Sequence, residues 1–149
     1  MAESILIVDD EPAILNSLSK ILEDEGYQVA VAKSGGESLK LISADPPDLV
    51  LLDIWMPEVD GLETLRRARE QAPRLLVMMM SGHGSIETAV KAVKLGAYDY
   101  IEKPLSLDNV TLRVRHALDQ RRLEEENLSL RTKVERRFEL VGTSAAMQR

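Results

Sequence analysis

The sequence predicts an α/β fold: one five-stranded parallel sheet, doubly wound, with helices on both faces. Three observations carry this. Five short apolar runs alternate with helical patterns along the 149 residues. Three of those runs are continuous instead of alternating, as in strands covered on both faces. The links between elements are short enough for right-handed crossovers, so β-α repeated five times closes into a single sheet.

The runs are "ILIV" (Ile5–Val8), "VAVA" (Val29–Ala32), "LVLL" (Leu49–Leu52), "LLVMMM" (Leu75–Met80) and "YDYI" (Tyr98–Ile101). Between them, Ile14, Leu18, Ile21 and Leu22 form a helical stripe that ends at Gly26. Ile86, Val90 and Val93 form another that ends at Gly96. Both glycines sit where helix C-caps require a left-handed residue. "SGGE" (Ser34–Glu37) has capping-box spacing, and "DGLE" (Asp60–Glu63) is its acidic variant.

Bulk properties narrow the function classes. A formal net charge of −6 argues against nonspecific nucleic-acid binding. With no cysteine, disulfides and thiolate metal sites are excluded, which suits a reducing compartment. Acids from Glu3 onward leave no signal-peptide core. No apolar run is long enough to span a membrane. The expected location is cytoplasmic.

The last helical segment outruns a compact domain. From Leu118 to Glu139 more than half the residues are charged, with signs interspersed. Leu123, Asn127, Leu130 and Val134 fall at a/d spacing, a narrow coiled-coil seam with Asn at an a position. A solvated single helix is the plainer reading, but so thin an apolar face is marginal alone. Pairing with a second copy of the chain is therefore expected. "FELVGTSAAMQR" then breaks the pattern at Gly142 and reads as the start of a further domain. The expected organisation is a globular domain over 1–118, a helical linker over 119–138 and the first residues of another domain over 139–149.

In such sheets a site lies at the carboxyl ends of the strands, where strand order reverses. The first run leads into Asp9, Asp10 and Glu11; the third ends on Asp53, the fourth on Ser81 and the fifth on Lys103. Close carboxylates raise one another's pKa values, and a hard divalent cation relieves this. Mg²⁺ takes oxygen ligands, commonly one or two carboxylates plus substrate phosphate. A metal, a lysine, a hydroxyl donor and a carboxylate nucleophile together suit phosphoryl transfer, with Asp53 forming an aspartyl-phosphate. Each residue also has a duller reading. Asp10 or Glu11 can cap the helix that starts at Pro12. Asp53 and Ser81 can be turn residues, and Lys103 a surface lysine. The correct order of all five strand-end features favours the site.

"VDDE", "LLDIWMPEVDGLE", "MSGHG" and "GAYDYIEKP" resemble the receiver domains of two-component response regulators, over roughly Ser4 to Leu118. The resemblance implies the flavodoxin/CheY-like strand order 2-1-3-4-5, extended here by the long C-terminal helix. It implies Asp53 as phosphoacceptor, and Asp9, Asp10, Asp53 and the backbone carbonyl of Trp55 as Mg²⁺ ligands. Ser81 takes the switch-hydroxyl position, Lys103 the phosphate-pairing position and Tyr100 that of the aromatic switch. The charged helix and "ELVGTSAAMQ" are similar to regulators of the NtrC/NtrX group, which activate σ54 RNA polymerase through an AAA+ ATPase. The implied partners are a sensor histidine kinase and a second copy of the chain. RNA polymerase and DNA would be reached only through domains outside this chain, and no membrane partner is implied. The chain would be no enzyme, apart from catalysing its own phosphorylation and slow dephosphorylation.

Two other classes compete. A small-molecule phosphatase of the haloacid-dehalogenase type uses Asp-x-Asp, and "DIW" puts Trp55 in place of the second Asp. A nucleotide-binding or degenerate module lacks support, because no G-x-G-x-x-G follows the first strand and the acid set is intact. His83 and His116 have no metal-ligand spacing, and Met78–Met80 read as buried strand.

Overall fold

The computed structural model describes residues 3–54, 60–82, 86–103 and 106–147, with side chains of the last helix described to residue 127. Five strands and five helices alternate: β1 (Ser4–Val8), α1 (Pro12–Asp24), β2 (Gln28–Ala32), α2 (Gly35–Ala44), β3 (Leu49–Asp53), α3 (Gly61–Gln71), β4 (Leu76–Ser81), α4 (Ile86–Lys94), β5 (Asp99–Glu102) and α5 (Leu107–Met147). The sheet order is β2-β1-β3-β4-β5 and every pairing is parallel. Strand order reverses between β1 and β3, so a crevice opens where Asp9 and Asp53 emerge.

β1, β3 and β4 are the continuous runs, and β3 is buried throughout. Leu6, Val8, Val50, Leu52, Val77 and Met79 face one layer, where they pack with Ile42 of α2 and Leu65 and Ala68 of α3. Strand periodicity turns Ile5, Ile7, Leu49, Leu51, Met78 and Met80 to the opposite face, and these are buried too. α1 covers part of that face with Leu15, Leu18 and Leu22. β2 differs: at the sheet edge, most of its residues are half-buried or exposed.

The helix ends follow local chemistry. Gly26 (φ 95°) and Gly96 (φ 104°) take the left-handed conformation. After each, an N–H reaches back to close a Schellman turn, Tyr27 to Leu22 O at 3.2 Å and Ala97 to Ala92 O at 2.9 Å. Ser34 Oγ accepts from Glu37 N at 3.2 Å, and Asp60 Oδ1 accepts from Glu63 N at 2.8 Å. The reciprocal half of the Ser34 box is displaced by one residue, because Glu37 accepts from Lys33 N. Glu63 instead pairs with Arg66 and Arg67 along its own helix.

The Ile86, Val90, Val93 stripe forms the expected helix, with these side chains exposed and Ala92 the buried residue of α4. Periodicity identifies a helix without fixing which side the sheet takes. α5 continues to Met147 through Gly142, where a break is expected. One glycine in a helix costs only about 1 kcal/mol relative to alanine.

The compact unit around the sheet spans Met1–Val114, and a second, helical unit spans Arg115–Arg149. In the second unit Leu123 and Asn127 are exposed on the single chain, while the side chains of Leu130 and Val134 lie outside the described residues.

The two Schellman glycines are not equivalent. A Cβ on Gly26 would meet nothing within 4 Å, whereas on Gly96 it would lie 2.7 Å from Arg69 Nε. Arg69 is itself engaged, donating from Nη1 to Leu75 O at 2.7 Å. Gly26→Ala should cost the backbone strain alone, about 1–2 kcal/mol. Gly96→Ala should cost more, and Arg69→Ala should remove the excess. Urea denaturation of the two single variants and the Arg69→Ala/Gly96→Ala double variant checks this; equal losses for both glycines would contradict the packing role of Arg69.

Candidate functional site

Asp9 and Lys103 are held where a strand ladder runs one step past its strand, and Asp53 and Ser81 are the last residues of theirs. Asp9 N donates to Ala32 O at 3.1 Å and extends the β1–β2 pairing. Lys103 N donates to Ser81 O at 2.8 Å and extends β4–β5. Asp53 is the last residue of β3, in register with Met80. The sheet therefore sets the main chain at this edge before any side chain is considered.

The side chains converge. Asp9, Asp10 and Asp53 each offer a carboxylate oxygen, and these oxygens lie within 4.8 Å of one another. Asp9 and Asp53 are buried, whereas Asp10 is exposed. Lys103 Nζ donates to Asp9 Oδ2 at 2.9 Å and stands 3.5 Å from Asp53 Oδ2 and 3.9 Å from Glu11 Oε1. Burial pulls the Lys103 pKa down, but the hydrogen bond to Asp9 and the charges of Asp53, Asp9 and Glu11 outweigh it, and the pKa is raised. The lysine is held firmly as a cation.

One ammonium does not balance three carboxylates. Two of the three acids are removed from water, and burying a charged group is costly unless it is fully paired. The donors are all oxygens, the open side is exposed at Asp10, and the spacing suits one small hard dication. The residues present thus fit Mg²⁺.

The capping alternative does not hold for Glu11. Glu11 occupies the N-cap of α1 but makes no side-chain cap bond, and Pro12 fills the first helical position. Asp9 Oδ1 instead accepts from Glu11 N at 2.9 Å. Ser81 is buried at the end of β4, beside β3. Tyr100 is on β5, in register with Met79 and packed against the core, with its hydroxyl buried and without a hydrogen-bond partner among the described residues. It lines a groove of about 460 Å³ with Ile86, Ala89, Val90 and Val93 of α4. Trp55 and His83 lie outside the described residues. Glu11 is the neighbour that sequence reasoning placed among the strand-end acids without giving it a role in the site beyond a possible cap. The signal was the third consecutive acid, but its approach to Lys103 exists only in the folded chain.

The family profile described as the response regulator receiver domain matches residues 5–115, most of the chain. This chain belongs to the response regulator receiver domain family. The receiver is 44% identical over 150 residues to the nitrogen assimilation regulatory protein NtrX of Azorhizobium caulinodans, covering 99% of this chain and 33% of that protein. Its fold superimposes on crystalline NtrX from Brucella abortus with a TM-score of 0.81 at 44% identity, over 88% of this chain and 30% of that one. It also matches the beryllofluoride-activated NtrC4 receiver domain dimer, with a TM-score of 0.76 at 42% identity, over 79% of this chain and 98% of that one. The receiver thus spans about a third of the length of the curated relatives it matches. Among the described residues, no helix is long and apolar enough to cross a membrane.

The geometry makes the receiver's acids mutually repulsive in the absence of a cation. Asp10→Asn should therefore raise stability in Mg²⁺-free buffer, modestly because Asp10 is exposed and screened by salt. Added Mg²⁺ should narrow or reverse the gap, since the variant loses a ligand. Urea midpoints with and without Mg²⁺ read this; a variant less stable than wild type in the metal-free buffer would refute the repulsion.

Proposed function

We propose that the chain is a phosphorylation-controlled switch that accepts a phosphoryl group on Asp53 from a sensor histidine kinase, with Mg²⁺ held by Asp9, Asp10 and Asp53. The observation that carries this reading is the Lys103 ammonium bound between two buried carboxylates at a sheet edge, beside a third. By family resemblance the backbone carbonyl of Trp55 completes the protein's metal ligands. Mg²⁺ supplies charge neutralisation for the incoming phosphoryl oxygens.

The chain's own groups do the rest. An Asp53 carboxylate oxygen attacks phosphorus in line with the P–N bond of the kinase phosphohistidine, which breaks as the imidazole leaves. Lys103 offers its ammonium to the transferred phosphoryl oxygens, a fixed charge already drawn to this point. Ser81 supplies a hydroxyl donor to the product phosphoryl group. Its turn toward the group vacates space behind β4 into which Tyr100 moves, a bias on two pre-existing states. The Tyr100 hydroxyl, unpartnered among the described residues, and the neighbouring groove suit a residue with a second position. Apart from catalysing its own phosphorylation and slow dephosphorylation, the chain is not an enzyme.

The switch acts through a homodimer whose seam is Leu123, Asn127, Leu130 and Val134, with Asn127 fixing register. The exposure of Leu123 on the single chain supports an apolar seam awaiting a partner. In the full regulator, dimer rearrangement controls an AAA+ ATPase that acts on σ54 RNA polymerase at DNA, in the cytoplasm. In support, Brucella abortus NtrX structures in complex with ADP and with ATP are among those this chain matches. Residues 119–138 serve as linker and 139–149 open the ATPase domain.

Asp53→Asn should abolish labelling by acetyl phosphate and leave the fold intact, because asparagine keeps the shape and loses the nucleophile. Lys103→Ala should still take some label but no longer change conformation. Mass spectrometry of the labelled site and the dimer state with beryllofluoride read these. Label on a serine or threonine of the wild-type protein would defeat the assignment, and turnover of p-nitrophenyl phosphate would point to a phosphatase.

Removal of residues after Leu118 should weaken dimerisation strongly. Sedimentation at about 100 μM tests this, since a coiled-coil dimer of roughly −6 kcal/mol is substantially populated there. A 149-residue chain that stays monomeric with and without beryllofluoride would rule out the seam.

A further inference from the structure

Gly61 touches the main chain of the phosphoacceptor. A Cβ at this position would lie 2.4 Å from the carbonyl oxygen of Asp53, 2.5 Å from Ile54 Cα and 2.9 Å from Ile54 O. All three are backbone atoms, so no change of rotamer clears them. Real Cβ atoms do not approach within 3.0 Å. The backbone at Gly61 is not left-handed, so its conformation does not require glycine. The N-terminal helical position it occupies also accepts most residues. The contact alone excludes a side chain.

Both sides of the contact are anchored. Asp53 ends the central strand β3, and Ile54 N donates to Met80 O at 3.0 Å. On the other side, Gly61 N donates to Ile54 O at 2.7 Å. Thr64, one turn on and buried, donates from both N and Oγ1 to Asp60 O at 3.0 Å. Buried Leu65 seats the helix in the core. An added methyl therefore has to move the Asp53 main chain or lift the start of α3.

We propose that Gly61 is a positioning residue for phosphoryl acceptance: its missing side chain lets the start of α3 abut Asp53 and fix where the carboxylate stands relative to Lys103 and Asp9. This rests on the proposed role of Asp53 as phosphoacceptor. The carboxylate is 3.5 Å from Lys103 Nζ, and a displacement of about 1 Å in such a site costs about 100-fold in rate. Packing for stability alone is the competing account. It predicts that Gly61 matters no more to the chemistry than any core residue of α3.

The test compares Gly61→Ala with Leu65→Ala, a core truncation one turn along the same helix. Acetyl phosphate labelling rates and Mg²⁺ titrations followed by Trp55 fluorescence are measured on folded protein, alongside urea stability. Gly61→Ala should label about 100-fold more slowly and bind Mg²⁺ more weakly. Leu65→Ala should lose stability yet label near the wild-type rate. Thr64→Val loosens the same turn without adding an atom against Asp53, and should slow labelling to a smaller extent; it decides the matter should Gly61→Ala not fold. Wild-type rates in Gly61→Ala, or in Thr64→Val where it stands in, would overturn the positioning role, as would equal slowing in Leu65→Ala. A wild-type protein that takes no label at Asp53 overturns the proposed function instead.

Discussion

The pairing of Lys103 with Asp9 and Asp53 is the interaction on which the arrangement of the carboxyl edge depends. It joins the ends of β1, β3 and β5, three strands that are not all neighbours in the sheet. Two buried carboxylates without that ammonium would be among the costliest features a small domain can carry. With it they are tolerated but not neutral. Under the proposed function, the residual negative charge is what would draw a cation, and the groups a cation brings, to this edge. A sheet end optimised for stability alone would not place three acids together.

The precision of the edge comes from the backbone. Asp9 and Lys103 are both held by main-chain hydrogen bonds that continue the strand ladders past the last strand residue. The supporting layer is apolar and buried, from Leu6 and Val8 through Val50 and Leu52 to Val77 and Met79. The edge therefore rests on strands and their main-chain ladders.

The α4 side of the molecule contrasts with this. Ile86, Val90 and Val93 are exposed beside Tyr100, whose hydroxyl is buried without a partner among the described residues. Next to it, Arg113 Nη1 ties α5 to β5 through Asp99 Oδ2 at 2.9 Å and Tyr100 O at 3.4 Å. Movement of Tyr100 would thus be felt at the start of the long helix.

Much of the molecule was legible in the sequence because its determinants are local. Continuous apolar runs gave strands within about one residue of their observed bounds, as at Leu49–Asp53. Gly26 and Gly96 marked helix ends because only glycine takes φ near +100° cheaply. The order of Asp9, Asp53, Ser81 and Lys103 at strand ends placed them at one edge, since every parallel strand delivers its carboxyl end to the same side. Tertiary structure alone decided the rest. It turned the apolar stripe of α4 outward, set Glu11 beside Lys103 instead of over the α1 cap, and pressed Gly61 against Asp53. These depend on distances between segments far apart in the chain, which no pattern within a segment encodes.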